Sequence, residues 1–262
     1  MPFSRKKPEI QGGLSGTALK YIAMTTMLAD HIGAVLLERI VYYRGNLEQV
    51  AMLMTSQWGD TLYWLWRMLR TVGRIAFPIY CFLLVEGFLH TRDWRRYWLR
   101  MAAFALISEI PFRLAVWNTW AGGSSNVYVE LAIGLLVLRG LKQSEGLTQP
   151  RRAAGMAAVI GGGCLAAVFL KADYDMDGIL IISLFYLLRE KRIVQVMSGG
   201  ILSLLESWNM CYGAGILSAV PLYFYNGKKG QAPWKYAFYW FYPLHLMALF
   251  LIRLCVIGIP LG

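Results

Sequence analysis

The sequence predicts an all-α, polytopic integral membrane protein with about nine transmembrane helices (eight to ten) and a cytoplasmic N-terminus. Three observations carry this expectation. The 262 residues are 57% hydrophobic and only 16% charged, whereas soluble domains hold about 25% charged residues. Apolar stretches recur along the whole chain with short polar breaks between them. The basic residues, which give a formal net charge of +11, collect in alternate breaks rather than on one polar surface. That pattern belongs to cytoplasmic loops facing anionic headgroups and argues against a nucleic-acid partner.

Residues 1–18 read as a basic cytoplasmic tail and 19–262 as a single multispan membrane domain. The opening "MPFSRKKPEI" could begin a signal peptide. However, Asp30 and His31 interrupt the apolar core such a peptide needs, and no small-x-small cleavage site follows. A retained first span over 19–38 is therefore expected. Further spans are expected over 72–89, 97–117, 126–141, 153–170, 177–189, 193–207, 210–225 and 236–257. The fourth, sixth and seventh fall short of the roughly 20 residues that cross the hydrocarbon layer. Interfacial flanking residues or a thinned bilayer must accommodate them.

The charges test the count independently. Basic clusters lie at 5–7 with Lys20, at 92–100, 139–152, 189–192 and 228–235, while the connections near 118–125, 171–177 and 206–209 are neutral or acidic. Nine spans with the N-terminus inside put every basic cluster on one side. Residues 47–70 are apolar but carry Gln57 and Asp60 in their middle, so an amphipathic interfacial helix on the outer surface is expected there; a tenth span is the alternative. The four cysteines stand singly in apolar runs, which implies neither a metal site nor a disulfide framework.

Ionisable side chains inside spans cost about 2.5–3.5 kcal/mol each at the bilayer centre, and they mark functional sites by default. The set is Asp30, His31, Arg74, Glu86, Glu109, Arg113 and His245, with Asp173, Asp175 and Asp177 at one mouth. Arg/Glu pairing inside the bundle is the bland explanation for Arg74, Glu86, Glu109 and Arg113. In the first span, Lys20 and His31 are eleven residues apart. At about 100° per residue they share a face, and at 1.5 Å per residue they lie about 16 Å apart along the axis. Asp30 points about 100° away from His31. It is expected to pair with an arginine of another span, Arg74 first, or to reach Thr26. A lysine at the cytoplasmic entrance in register with a mid-membrane histidine suits a phosphate-holding cation below a general base. A buried histidine bonded to a carbonyl is the plainer reading. With only three histidines in the chain, no metal is expected.

"ALKYIAMTTMLADHIGAVLL" resembles the first span of the TraX family, named for the conjugation protein implicated in N-acetylation of F-pilin. "GRIAFPIYCFLLVEGFLHTRDWRRYWLR" at 73–100, "FALISEIPFRLA" at 104–115 and "FYPLHL" at 241–246 resemble it as well, and "ADYDMDGILIISLFYLLR" at 172–189 does so more loosely. TraX proteins are in turn similar to the acyltransferase type 3 family, where a basic residue, ten intervening positions and a histidine recur. Lys20 and His31 keep that spacing. Asp175 and Met176 depart from the pattern, where smaller or neutral residues stand in the family. The resemblance implies a membrane-embedded acetyltransferase of the bacterial cytoplasmic (inner) membrane that uses acetyl-CoA as co-substrate, with His31 catalytic beside Asp30. The CoA phosphates would be held by Lys20 with Arg95 and Arg96. Arg74, Glu86, Glu109, Arg113, Asp173, Asp177 and His245 would shape the substrate cavity. The acceptor would be an amine or hydroxyl of a protein N-terminus such as a pilin, or of an envelope peptide, sugar or lipid. A small proton-coupled secondary transporter and a non-catalytic component of a conjugation or secretion apparatus are the rival readings.

Overall fold

The computed structural model describes residues 12–38, 57–231 and 236–257. Among them run ten α-helices: α1 Gly16–Ile32, α2 Gln57–Gly73, α3 Ala76–His90, α4 Trp94–Phe112, α5 Val127–Ser144, α6 Arg151–Phe169, α7 Asp175–Leu187, α8 Arg192–Cys211, α9 Ala219–Tyr223 and α10 Ala237–Ile252. No strand forms among the described residues. Among the described residues three stretches, Trp58–His90, Arg151–Phe169 and Ala237–Cys255, are long and apolar enough to cross a membrane by length and composition. The other helices are shorter, more polar or more charged. The basic tail cluster at 5–7 lies outside the described residues.

Local chemistry sets the helix ends. Ser15, Asp93 and Asn126 cap α1, α4 and α5, each accepting a hydrogen bond from a backbone N–H in the first turn. The free N–H groups of Gly16 and Thr17 donate to the carbonyls of Lys228 and Lys229, so the loop at 226–230 closes the start of α1. Pro78, in the first turn of α3, supplies no N–H to the carbonyl of Arg74, and the helix breaks at residues 74–75. There Arg74 and Ile75 donate three residues back, to Thr71 and Val72.

That break joins α2 and α3 into the 33-residue stretch Trp58–His90. The expected surface helix over 47–70 therefore behaves differently over its described part. Residues 47–56 lie outside the described residues; the rest is amphipathic but docks on α1. Trp64, Leu65 and Met68 face outward, whereas Arg70 and Arg74 turn in to Asp30. Asp30 is the physical reason, since it supplies a buried counter-charge that a flat interfacial helix could not reach.

The segment expected to span over 210–225 also differs. It forms a 3₁₀ turn at Ala214–Ser218 and α9, together the ten residues Ala214–Tyr223, about 17 Å of helix rise. α7 has only 13 residues, yet it packs against α3, α5, α6 and α8 and buries Ile179, Ile181, Ile182, Phe185 and Tyr186. A helix packed on four neighbours need not match the lipid thickness along its buried length.

α1, α4 and α10 each widen into a π-helical turn at the same end of the bundle: Gly33–Leu37, Arg113–Trp117 and Arg253–Ile257. Arg253, fully buried, donates to the carbonyls of Leu114 and Ala115 at 2.8 Å and to Asn118 Oδ1 at 2.6 Å. An arginine inside an apolar bundle is thus satisfied by carbonyls that a widened turn presents.

Candidate functional site

Two cavities lie one above the other between the same helices. The larger, about 940 Å³, is lined by Asp30 and His31 of α1, Arg70 of α2, Arg74, Phe77 and Tyr80 around the break and α3, Glu206 of α8 and Tyr242 of α10. Its mouth is the loop carrying Lys171, Asp173 and Asp175. The smaller, about 490 Å³, lies toward the basic end, with Lys20, Glu86, His90, Arg100, Lys229 and Phe238 on its wall. Tyr80 lines both. The face of α1 read from the sequence is therefore divided between them, Lys20 below and His31 above.

In the upper cavity Asp30 does pair with Arg74, whose Nη2 donates to both carboxylate oxygens at 2.9 and 3.0 Å. Arg70 adds a third bond at 2.8 Å. Thr26 takes no part; its hydroxyl donates to the carbonyl of Ile22. Arg74 also lies 4.0 Å from Glu206, and Arg70 lies 3.7 Å from Glu38. Buried charges are tolerable only in such compensated groups. Gly73 makes the approach possible, because a Cβ there would stand 2.2 Å from Asp30 Cβ. Gly73→Ala is accordingly expected to lower stability by about 1–3 kcal/mol through overpacking. Gly161→Ala, where a Cβ meets nothing within 4 Å, should leave the melting temperature in detergent unchanged or raise it. Equal melting temperatures for the two variants would contradict the close approach.

His31 meets His245 of α10, with its Nδ1 2.6 Å from His245 Nε2 and the rings 4.9 Å apart. His245 Nδ1 donates to the carbonyl of Phe241 at 2.6 Å. Tyr242 sets its ring edge-on to both imidazoles. Two residues before His245, Pro243 leaves the carbonyl of Tyr239 without its helical N–H, and the Tyr128 hydroxyl donates to that carbonyl at 3.1 Å. Tyr174 of the acidic loop stacks on Phe77 of α3 and so pins the mouth to the bundle.

Several expected site residues lie elsewhere. Arg95 and Arg96 are exposed, and Arg96 pairs with Asp93 at 3.1 Å. The helix turns Arg100, one turn later, to the lower cavity instead. Glu86 lines that lower cavity and not the one holding His31. Glu109 and Arg113 line neither. They pair at i, i+4, and Glu109 accepts from the Asn126 side chain at 2.6 Å, which clasps α4 to the start of α5. Asp177 stands off the mouth, on α7, while Asp173 and Asp175 line it. The residues that sequence reasoning missed are Arg70, Glu206, Arg253 and Tyr80. Arg70 fell in the segment read as interfacial. Glu206 and Arg253 lie in apolar helices, and the rule that flagged Asp30 could have flagged them. Tyr80 carries no signal in the sequence.

The family described as TraX protein matches residues 15–253. A probable fimbrial assembly protein FimC, serogroup H1, of Dichelobacter nodosus is 29% identical over 236 residues, covering 78% of this chain and 88% of its own length. No solved structure matches.

Proposed function

The chain belongs to the TraX family, and on that premise we propose that it is an acetyltransferase embedded in the bacterial inner membrane, taking its acetyl group from cytoplasmic acetyl-CoA. One observation carries the reading: a basic cavity and an acidic cavity, stacked between the same helices, share the wall residue Tyr80, with an imidazole in the upper one. A donor and an acceptor that enter from opposite faces need such a pair of chambers.

Acetyl-CoA enters the lower chamber, where Lys20, Arg100 and Lys229 attract its phosphates as cations. Its thioester arm reaches past Tyr80 toward His31. The acceptor comes from the other face. Asp30, Glu38, Asp173, Asp175 and Glu206 outnumber Arg70, Arg74 and Lys171 around the upper chamber, a balance that favours a cationic amine over an anionic acceptor. A cationic amine first gives one proton to water at the mouth; His31 then takes a proton from the neutral amine, or from a hydroxyl, as its nitrogen or oxygen attacks the thioester carbonyl. Arg74, on the same wall, offsets the negative charge that develops on the carbonyl oxygen. Collapse breaks the carbon–sulfur bond, and His31 returns the proton to the CoA sulfur. An acetylated acceptor and CoA leave by their own faces.

The relative is named a probable fimbrial assembly protein, which is equally compatible with a second reading, an assembly component without catalysis. Purified protein incubated with radiolabelled acetyl-CoA separates the two. Label on an acceptor peptide, or slow hydrolysis of the thioester above the buffer rate, supports the enzyme; neither, at protein concentrations that bind CoA, overturns it. Within the enzyme reading, Lys20→Ala and Lys229→Ala should raise KM for acetyl-CoA about tenfold each, about 1.4 kcal/mol and the low end for a charge-assisted contact, with kcat within about twofold. Arg95→Ala should change neither. An effect of Arg95→Ala equal to that of Lys20→Ala would move the donor site to the loop.

A further inference from the structure

We infer that His245 is a positioning residue that forces His31 into the tautomer bearing its proton on Nδ1, leaving Nε2 as the basic nitrogen for the upper cavity. The inference rests on the proposed function for its catalytic consequence, but its geometry stands alone.

The oxygen of Phe241 can only accept, so His245 Nδ1, 2.6 Å away, carries the proton. A neutral imidazole has one N–H, which leaves a lone pair on His245 Nε2. That nitrogen lies 2.6 Å from His31 Nδ1 and must accept from it. His31 Nδ1 therefore holds the proton of its own ring, and His31 Nε2 is the atom with a free lone pair. Among the described residues no hydrogen-bond partner stands at Nε2. Imidazole in water mostly prefers the opposite tautomer, with its proton on Nε2, and there the cavity would meet an N–H in place of a base. Which nitrogen is protonated is decided by the bond that the other one makes.

Packing holds the pair in this register. Phe241 stacks on the His245 ring at 4.6 Å and 16°, and Tyr242 abuts both imidazoles edge-on at 5.9 and 5.8 Å. Asp30 is turned away, taken up by Arg70 and Arg74. The role a carboxylate often plays toward a catalytic histidine falls here to a second imidazole, itself oriented by the peptide backbone.

The test is nitrogen-15 NMR of the full-length protein in detergent with labelled histidine, since protonated and lone-pair ring nitrogens resonate far apart. The chain has three histidines, and His90→Gln with His31→Gln assigns them. Near neutral pH, His31 and His245 should each show a proton on Nδ1 and a lone pair on Nε2. In His245→Leu, His31 should move toward the Nε2-protonated form. Acetyl transfer by that variant should fall about 10²–10³-fold in kcat with KM for acetyl-CoA within threefold. His245→Gln, whose side-chain oxygen can accept in place of Nε2, should recover most of the loss. A wild-type His31 protonated on Nε2, or on both nitrogens, overturns the inference, as does a kcat unchanged in His245→Leu. The wild-type spectrum decides even where His245→Leu fails to fold. The expected tautomers in a protein that transfers no acetyl group under any condition would uphold the pairing and end the acetyltransferase reading.

Discussion

Replacing His31 with glutamine is expected to lower kcat for acetyl transfer by about 10²–10⁴-fold, the range lost with a general base, while KM for acetyl-CoA stays within twofold. The separation of effects follows from position. His31 stands in the upper cavity and Lys20, Arg100 and Lys229 in the lower one, so under the proposed function the substitution removes a group needed only once the thioester has arrived. Glutamine keeps a donor for His245 and a similar volume, so the bundle should remain folded. Steady-state transfer from labelled acetyl-CoA, with a melting curve of the same preparation, checks both parts. A variant that retains full kcat removes the imidazole from the chemistry. One that loses kcat and melting temperature together shows a packing role.

Asp30→Ala should give the largest loss of stability in the molecule, about 3–5 kcal/mol, because it strands Arg70 and Arg74 beside each other in a buried site. Their side chains are only 12% and 10% exposed, so water cannot replace the lost carboxylate. The triple variant Asp30→Leu, Arg70→Met, Arg74→Met removes charge and counter-charge together and should regain most of that loss, to within about 1–2 kcal/mol of the wild type. Yet it should be inactive, since Arg74 is gone. Thermal unfolding of the three proteins in one detergent makes the comparison. A triple variant as unstable as the single one would mean that the carboxylate does more than balance the arginines.

The sequence located Asp30, His31, Arg74 and His245 through one rule, that a polar group in an apolar helix needs a reason. It paired Asp30 with Arg74 because adjacent residues diverge by about 100° on a helix. The same rule, applied to Glu109 and Arg113, left a cavity role and an Arg/Glu pair both open, and their carboxylate and guanidinium meet each other and Asn126. Residue type gives the need for a partner but not the partner's address. Arg95 and Arg96 stand apart from both cavities for a related reason. Composition placed them at the basic end, but helix phase within that end turned them to solvent and Arg100 inward.

What the chain by itself determined was its all-helical membrane character and the stripe of α1 that carries Lys20 and His31, because both depend on hydropathy and on a period of 3.6 residues. The docking of α2 on α1, the division of that stripe between two chambers at Tyr80 and the contact of two histidines 214 positions apart were decided only by the tertiary structure. Those contacts depend on which faces of distant helices meet, and periodicity along one helix holds no information about its neighbour.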